Sequence, residues 1–482
     1  MIQFITHNMA PLMFAGLIMF MLIGYPAAFS LAAVGLAFGF VGVELGLIQP
    51  DFLGAIIYQL EGILRNDLLL AIPFFTLMGA ILERSGLAED LLEGFGQLFG
   101  GVRGGLSYAV ILVGAVLGAI TGTVAASVIA MGLISLPIML KYGYNVRHAT
   151  GVIAASGTIT QLIPPSLVLV VLADQMGVDV GQMYWGAVGP SFIQTFLFML
   201  WVFILSFIRP QDVPALPLEA RVLHGWPLIW RCIRGMVPSL ILIFLVLGTM
   251  LMGLATATEA GAMGVVGSFV LAKLNGKLNW NLTYQGMATT MRITAMVVMI
   301  LIGSRVFSLV FQGVGGKEWI ESFLTTLPGG QVGFLIFVNV FVFVIAFFLD
   351  FFEIAFIIVP LLVPAAAALG INIVWLGVLL GANMQTSFMH PPFGFALFYL
   401  RGIAPPKVKS SDIYWGAIPW VILQVILVAI LIAFPQTVTA FLDKPVVADP
   451  AFKIVVPQQS GAGSAGSLAT PSIDLNQAPV IK

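Results

Sequence analysis

The chain has 482 residues, of which 60% are hydrophobic and only 9% are charged, and its formal net charge is −1. So few charged side chains could not cover the surface of a water-soluble domain of this length, so the composition excludes a soluble protein and predicts a membrane protein. With this charge and no basic or acidic block, nothing suggests nucleic-acid binding, and the single cysteine, Cys232, excludes an internal disulfide and a thiolate metal cluster.

Apolar stretches follow one another along the chain, and we interpret the one at the N-terminus as a retained membrane segment. They cover residues 9–24, 26–47, 59–82, 106–140, 149–173, 184–208, 235–254, 258–273, 286–312, 332–369, 374–400 and 413–434. A spanning helix needs about 20 residues. The stretches 106–140 and 332–369 exceed one span but contain no polar loop at which two spans could turn. We therefore predict two re-entrant hairpins, each of which enters and leaves on the same side of the membrane.

The second half of the chain repeats features of the first half in the same order. The matched features are Asn145 with Asn372, the Pro-Pro pair 164–165 with 391–392, and Tyr-Trp-Gly-Ala at 184–187 with 414–417. Agreement of this kind in one order predicts an internal duplication. The predicted parts are a first repeat (1–208, with a broken helix at 149–173), a linker (209–234), a second repeat (235–435, with a broken helix at 374–400) and a tail (436–482).

Each repeat holds five crossings and one hairpin, and an odd number of crossings inverts the second repeat relative to the first. Most Lys and Arg residues then fall on one side, which places both termini outside and the linker 209–234 in the cytoplasm. The segments 83–99 and 317–327 are amphipathic and are expected at the membrane interface. The tail, rich in Gly, Ala, Ser and Pro, is expected to be disordered. The predicted fold class is an all-α polytopic membrane protein of inverted repeats.

A polar run precedes or surrounds the Pro-Pro pair in each broken helix, at 156–166 and 383–394. The two prolines remove two amide donors and stop the preceding helix, which frees carbonyl groups upstream. Carbonyl and hydroxyl oxygens suit a hard cation such as Na⁺, and the N-termini of half-helices suit an anion. A single Ser/Thr cluster often only holds helices together. Two such runs in register, each with its own hairpin, favour a binding centre.

Ionisable residues inside the predicted membrane segments are costly and are typical of functional sites. Asp350 and Glu353 lie at the tip of the second hairpin and Arg305 in a neighbouring helix, so a mutual ion pair and a role in substrate binding or coupling are both open. Glu259 begins its helix and is expected to cap it. His390 is expected to be a neutral, hydrogen-bonded histidine, with a proton relay as the alternative. The sequence contains no phosphate-binding loop, transition-metal ligand spacing or nucleophile–base motif, which predicts a protein that is not an enzyme and uses no organic cofactor.

Several motifs carry a family resemblance. They are Ile72-Pro73-Phe74-Phe75, the stretch Thr158–Ser166 ending in Ile-Pro-Pro-Ser, Thr256-Ala257-Thr258-Glu259-Ala260, and Pro391-Pro392-Phe393-Gly394. Over residues 1–435 the chain resembles the large membrane subunit of tripartite ATP-independent periplasmic (TRAP) transporters. The resemblance implies a bacterial inner-membrane protein with an elevator-type fold of the ion-transporter superfamily and Na⁺ coupling. It also implies two partners, a small four-helix membrane subunit and a periplasmic substrate-binding protein, and an organic anion as substrate.

The resemblance also implies candidate site residues. The cation-binding candidates are Thr121, Gly122, Thr123 and Ser127 at the first hairpin tip, facing Ser156 and Thr158 in the first break, and Asp350 at the second tip, facing Asn383, Thr386 and Ser387. The residues themselves, apart from the resemblance, give the substrate or coupling candidates Arg305, Glu353, His390 and Ser166. The chain departs from the common family pattern at both tips, with Thr-Gly-Thr for Ser-Gly-Ser and Asp-Phe for Asp-Thr, and His390 replaces a threonine. The run 390–402 resembles the branch that handles 2-oxo acids, lactate and similar organic anions.

The leading hypothesis is therefore the large subunit of a Na⁺-coupled secondary transporter for an organic carboxylate delivered by a binding protein. One alternative is a self-sufficient carboxylate or cation–proton carrier of the same superfamily. Another is a membrane scaffold subunit that transports nothing.

Overall fold

The computed structural model describes residues 2–222, 225–391 and 394–442, and the side chains of these residues except 2, 67, 68 and 121. All regular secondary structure in this part of the chain is helical. Eight of the described helices have the length and hydropathy of a membrane span, and the number rises to 10 if each of two bent helix pairs is counted as one span. The predicted all-α polytopic architecture is confirmed.

The described residues of the first half form eleven α-helices. They are α1 (Ile2–His7), α2 (Met9–Leu22), α3 (Ala27–Glu44), α4 (Pro50–Leu64), α5 (Asp67–Glu83), α6 (Leu87–Phe99), α7 (Gly105–Thr121), α8 (Val124–Lys141), α9 (Val146–Thr158), α10 (Leu167–Met176) and α11 (Val180–Ile208). The apolar stretch predicted at 59–82 is not one element. The polar residues Arg65 and Asn66 end α4, and the chain bends by 45° before it continues in α5.

The described residues of the second half form twelve α-helices. They are α12 (Trp226–Ile243), α13 (Thr249–Leu251), α14 (Ala257–Leu274), α15 (Trp280–Gly313), α16 (Gly316–Thr325), α17 (Gly330–Ile345), α18 (Phe351–Glu353), α19 (Val359–Ala368), α20 (Ile373–Met384), α21 (Phe395–Ile403), α22 (Ser410–Ala433) and α23 (Gln436–Thr439). A π-helical turn, Ile354–Ile358, joins α18 to α19, so that 351–368 is one continuous helical segment.

The elements follow the same order in the two halves. A helical hairpin (α7–α8, then α17–α19) precedes a broken helix (α9–α10, then α20–α21) and a long final helix (α11, then α22). The matched asparagines explain part of the repeat, because each caps the N-terminus of its broken helix. The Asn145 side chain accepts a hydrogen bond from the Arg147 amide, and Asn372 accepts one from the Trp375 amide. The inversion of the repeats across the membrane stays a prediction.

The two halves are packed crosswise, because each final helix packs on the broken helix of the other half. Helix α22 crosses α9 at a pair of glycines. A Cβ atom on Gly151 would lie only 2.1 Å from the carbonyl oxygen of Gly416, so the two backbones are in direct contact. At the corresponding crossing of α11 and α20, a Cβ atom on Gly186 would meet side-chain atoms of Val374 and Val378 at 3.2 and 3.3 Å.

Two short amphipathic helices occupy the predicted interfacial segments. Helices α6 and α16 lie within 83–99 and 317–327, apart from Gly316, and each buries its apolar face while exposing acidic residues. The tail predicted to be disordered from residue 436 onwards begins with an ordered segment, because residues 436–439 form α23. Val438 is fully buried there against α11, so apolar contact orders this part of the chain. The remainder of the predicted tail, 443–482, lies outside the described residues.

Candidate binding site

A cavity of about 260 Å³ lies where the two hairpin tips and the two broken helices meet. Its lining residues are Gly122, Thr123, Val124 and Ala125 of the first tip, Gln161, Leu167 and Val168 of the first broken helix, Asp350, Phe351 and Phe352 of the second tip, Phe388 and Phe395 of the second broken helix, and Ile293, Met296 and Tyr399. The four regions that the sequence singled out therefore surround one cavity. Of the candidate residues, Gly122, Thr123 and Asp350 line it.

Four helical segments begin at this cavity, because their first-turn residues form part of its wall. Their N-cap residues are Thr123, Ser166, Asp350 and Gly394. The first amide groups of a helix have no partner within the helix, and the N-terminus carries a partial positive charge. Among the lining side chains Asp350 alone is charged, and most of the others are apolar. Ser166 and Asp350 cap two of these segments with their own side chains, whereas Thr123 and Gly394 make no side-chain cap. The N-termini of α8 and α21 can therefore face the charge of a small organic anion, and the apolar wall suits its carbon skeleton.

The first hairpin tip faces the end of the first break. Gly122 adopts a left-handed φ of +61°, and a Cβ atom placed on it would lie 3.7 Å from the carbonyl oxygen of Pro165 and 3.9 Å from the amide nitrogen of Leu167. Ser156 lies elsewhere, against Gly114, about two turns before the tip. The predicted contact between the tip itself and Ser156 is therefore wrong, because the register of the packed helices places the tip further along.

The second helix of this hairpin also lies against the first break. A Cβ atom on Gly157 would lie 3.2 Å from the amide nitrogen of Val128, next to the fully buried Ser127. Ser127 is thus on the helix that packs beside Ser156 and Thr158. The side chain of Thr121 lies outside the described residues.

Hydroxyl groups at the first break mostly bond the backbone. The Thr158 hydroxyl donates to the Ala155 carbonyl over 2.8 Å, and the Ser166 hydroxyl donates to the Gln161 carbonyl. Ser166 also accepts a hydrogen bond from the amide of Val168, so it is the N-cap of α10. The Ser166 hydroxyl thus occupies the Gln161 carbonyl, which is freed because Pro165, four residues later, has no amide proton.

Ser156 differs from these residues. Its side chain is fully buried, and its hydroxyl oxygen has no hydrogen-bond partner among the described residues. A buried polar atom without a partner is rare and costs about 1–3 kcal/mol. This oxygen is therefore free to bind a ligand that the protein itself does not supply.

The hydroxyl groups of the second break and the amide group of Asn383 are bonded to the protein. The Thr386 and Ser387 hydroxyls donate to the carbonyls of Asn383 and Met384, each over 2.7 Å. The Asn383 amide donates to the carbonyl and the side-chain oxygen of Asn339 over 2.8 and 3.0 Å. Asn383 therefore ties its broken helix to α17, the first helix of the hairpin in its own repeat.

The second hairpin tip is held by a capping box. Asp350 accepts a hydrogen bond from the Glu353 amide over 2.8 Å, and Glu353 accepts one from the Asp350 amide over 3.0 Å. Arg305 is half-buried and takes part in none of the ion pairs among the described residues. The ion-pair alternative for these three residues is wrong, because the backbone amides of the tip hold the carboxylates.

His390 is packed among aromatic rings. It stacks on Phe347 with ring centroids 4.0 Å apart, and Phe343 contacts it edge-on at 4.6 Å. Neither ring nitrogen has a hydrogen-bond partner within the described part of the chain. Ring contacts surround the histidine and the backbone of Ala346 is a polar neighbour of its ring, so the expected hydrogen-bonded histidine stays a prediction. Pro392 and Phe393 of the same motif lie outside the described residues.

Glu259 caps its helix as predicted. Its carboxylate accepts a hydrogen bond from the Thr256 amide over 2.8 Å, while the Thr256 hydroxyl accepts one from the Glu259 amide over 3.3 Å. Sequence reasoning missed Gln161 and Tyr399 as cavity-lining residues. Gln161 lies in the polar run before the Pro-Pro pair and could have been found there. Tyr399 follows no polar motif, so only the packing reveals it.

Comparison with known proteins agrees with this architecture. The family described as "Tripartite ATP-independent periplasmic transporter, DctM component" matches residues 14–437. The chain is 28% identical over 374 residues to the C4-dicarboxylate TRAP transporter large permease protein DctM of Vibrio cholerae, a match that covers 73% of this chain and 81% of the relative. It is 28% identical over 429 residues to the ectoine TRAP transporter large permease protein TeaC of Halomonas elongata, covering 89% and 97%. It is 25% identical over 418 residues to the sialic acid TRAP transporter large permease protein SiaM of Vibrio cholerae, covering 86% and 93%.

A solved structure shares the fold. The chain matches the crystal structure of the Alcanivorax borkumensis YdaH transporter with a TM-score of 0.58 and 15% sequence identity, covering 81% of this chain and 89% of the other. The family match extends over nearly all the described helices, including both hairpins and both breaks. The chain is therefore a multi-pass protein of the bacterial inner membrane and belongs to the DctM family, the large permease component of tripartite ATP-independent periplasmic transporters.

Proposed function

We propose that this permease uses Na⁺ to drive uptake of a small organic carboxylate, such as a 2-oxo acid, lactate or a dicarboxylate, delivered by a periplasmic binding protein. The observation that carries the proposal is the cavity at which four helical segments begin. Helix N-termini bind a carboxylate without a buried cationic side chain. Relatives named for C4-dicarboxylate, sialic acid and 2,3-diketo-L-gulonate transport support an acidic substrate.

Oxygen atoms at the breaks support Na⁺ as the coupling ion. A small hard cation needs several oxygen ligands at once. Ser156 offers a buried hydroxyl oxygen without a partner, and Thr158 lies two residues further along the same break. The hydroxyls of Thr386 and Ser387 each keep lone pairs when they donate to the backbone. We propose one cation site at each break, with Gly122, Thr123, Ser127, Asp350 and Asn383 as further candidates from the same regions.

Two partners complete the proposal. A periplasmic binding protein delivers the substrate, and a small membrane subunit packs beside this chain. The isethionate TRAP transporter permease protein DctMQ of Oleidesulfovibrio alaskensis supports the second partner, because its match to this chain covers only 61% of its own length. The rest of that relative has room for a further membrane subunit.

Reconstitution tests the proposal. We would incorporate the permease into proteoliposomes with and without the small subunit, add binding protein loaded with radiolabelled pyruvate, lactate or succinate, and impose an inward gradient of Na⁺ or K⁺. Uptake is expected only with both partners and with Na⁺. Full uptake by this chain alone would favour the self-sufficient carrier, and uptake that ignores Na⁺ and follows pH would overturn Na⁺ coupling.

A further inference from the structure

Two buried glutamines occupy equivalent positions in the repeats. Gln194 comes ten residues after Tyr184 in α11, and Gln424 comes ten residues after Tyr414 in α22. Gln194 is 1% exposed and Gln424 is fully buried. Glutamine has a long polar side chain that is seldom buried without a function or a complete set of partners. Each buried glutamine therefore needs polar partners outside its own helix.

Each glutamine reaches the helix break of the other repeat. The Gln424 amide nitrogen donates to the Thr158 hydroxyl oxygen over 2.9 Å, and the Gln194 amide nitrogen donates to the side-chain oxygen of Gln385 over 2.7 Å. Thr158 and Gln385 are themselves equivalent, because each lies six residues before the first proline of its Pro-Pro pair. The final helix of one repeat thus places an amide group directly in the break of the other.

The atoms that remain without partners differ between the two breaks. At the first break they are the side-chain oxygens of Gln424 and Ser156, both buried. In the glutamine pair at the second break they are the side-chain oxygen of Gln194 and the amide nitrogen of Gln385. The amide oxygen of Gln424 has no proton to donate and the Ser156 hydroxyl keeps its lone pairs free, so both atoms can bind a cation. The unpartnered nitrogen of Gln385 is a donor and repels a cation, so the glutamine pair at the second break is not proposed to supply a ligand.

We propose that the side-chain oxygen of Gln424 is a ligand of the cation at the first break, supplied by the second repeat to a site built by the first. The proposal deepens the proposed function and rests on its Na⁺ coupling. The Gln424 amide nitrogen is already bonded to Thr158, two residues from Ser156, so the Gln424 oxygen is held at the break by its own amide group. A neutral amide oxygen is a regular ligand of hard cations. Binding of the ion then joins α22 to α9 in addition to their backbone contact.

The test uses binding rather than transport. We would purify the wild-type permease and the variants Gln424→Leu and Gln424→Glu in detergent, and measure thermal unfolding while Na⁺ replaces K⁺ at constant ionic strength. An ion that binds only the folded state raises the unfolding temperature by mass action. Gln424→Leu removes the oxygen and is expected to raise the half-maximal Na⁺ concentration about tenfold, which corresponds to about 1.4 kcal/mol of binding free energy. Gln424→Glu keeps an oxygen and is expected to stay within about threefold of the wild type.

Ser239→Ala is the matched control. Ser239 is fully buried in α12 and donates to the Gly235 carbonyl of its own helix, so its loss removes a buried polar group without touching a break. This variant should keep the wild-type Na⁺ response. Both Gln424 variants could lose the wild-type response to Na⁺ equally. That result would show that only the N–H bond to Thr158 matters and would overturn the ligand assignment. An unchanged response in Gln424→Leu would overturn it as well. A wild-type protein that responds equally to Na⁺ and K⁺ would instead overturn the Na⁺ coupling on which it rests.

Discussion

The two helix breaks lie at equivalent places in the repeats, but their equivalent polar side chains differ in hydrogen bonding. Ser156 and Asn383 each lie eight residues before the first proline of a Pro-Pro pair. Ser156 is buried against Gly114, and its hydroxyl oxygen has no partner in the described chain. Asn383 donates two hydrogen bonds to Asn339 of the neighbouring hairpin helix. The first break therefore has a hydroxyl oxygen that can bind a ligand. At the second break the equivalent side chain instead bonds the broken helix to α17.

The hairpin tips show a related contrast. Thr123 begins α8 without a capping bond from its side chain, whereas Asp350, at the equivalent place, forms a capping box with Glu353. The first tip instead relies on a left-handed glycine, Gly122, and on its closeness to Pro165. A duplicated backbone can thus carry two different tasks. We infer that the first repeat contributes more to cation binding and the second more to rigidity.

The largest expected effect concerns the helix crossings. Gly151→Ala places a Cβ atom 2.1 Å from the Gly416 carbonyl oxygen and 2.6 Å from the Trp420 ring nitrogen. Because backbone atoms cannot move aside, the free energy of unfolding should fall by about 3 kcal/mol. Gly186→Ala, at the other crossing, meets only side-chain atoms of three valines between 3.0 and 3.3 Å and should cost less than about 1 kcal/mol. Thermal unfolding in detergent compares them, and equal losses would show that the crossings do not differ.

Asn383→Ala should have the next largest effect on stability. It removes two hydrogen bonds and leaves the buried side-chain oxygen of Asn339 without that donor, so a loss of about 1–3 kcal/mol is expected. Ser156→Ala removes no hydrogen bond to a described residue and relieves an unpartnered buried oxygen, so stability in Na⁺-free buffer should stay the same or rise. If Ser156→Ala proved the more damaging of the two in the absence of Na⁺, the contrast between the breaks would be reversed.

A smaller effect is expected at the tips. Asp350→Ala removes the capping oxygen and should lower the free energy of unfolding by about 1 kcal/mol. Asp350→Asn keeps an oxygen acceptor at the N-cap and should retain most of that stability. Thr123→Ala removes no cap and should cost only a few tenths of a kcal/mol. Thermal unfolding of the three variants ranks them, and a loss in Asp350→Asn as large as in Asp350→Ala would show that the charge matters more than the cap.

The sequence was sufficient for features that depend on local backbone chemistry. The hairpin and break positions followed from apolar length and Pro-Pro pairs, and Glu259 was identified as a cap from its place at a helix start. Features that depend on helix register could not be predicted in this way. The tip faces Pro165 instead of Ser156, and Arg305 forms no ion pair with Asp350 among the described residues, because side-chain contacts between helices depend on their rotation and offset.

Gln194 and Gln424 could be predicted only in part from the sequence. The repeated Tyr-Trp-Gly-Ala run aligns Gln194 with Gln424, so the sequence contained their equivalence. It did not contain their partners, because the final helix of each repeat packs on the broken helix of the other. Only the crosswise packing shows that a residue of one repeat completes a site in the other.

The most direct test of the account is the Na⁺ dependence of uptake in the reconstituted complex with Ser156→Ala. Removing one oxygen ligand should raise the Na⁺ concentration for half-maximal uptake by about fivefold or more, while the protein stays folded. Ser206→Ala and Thr195→Val are the controls, because both hydroxyls donate only to carbonyls of their own helix, α11, and should leave that concentration unchanged. A Ser156→Ala protein with the Na⁺ dependence of the wild type and the controls would contradict the assignment of a coupling cation to the first break.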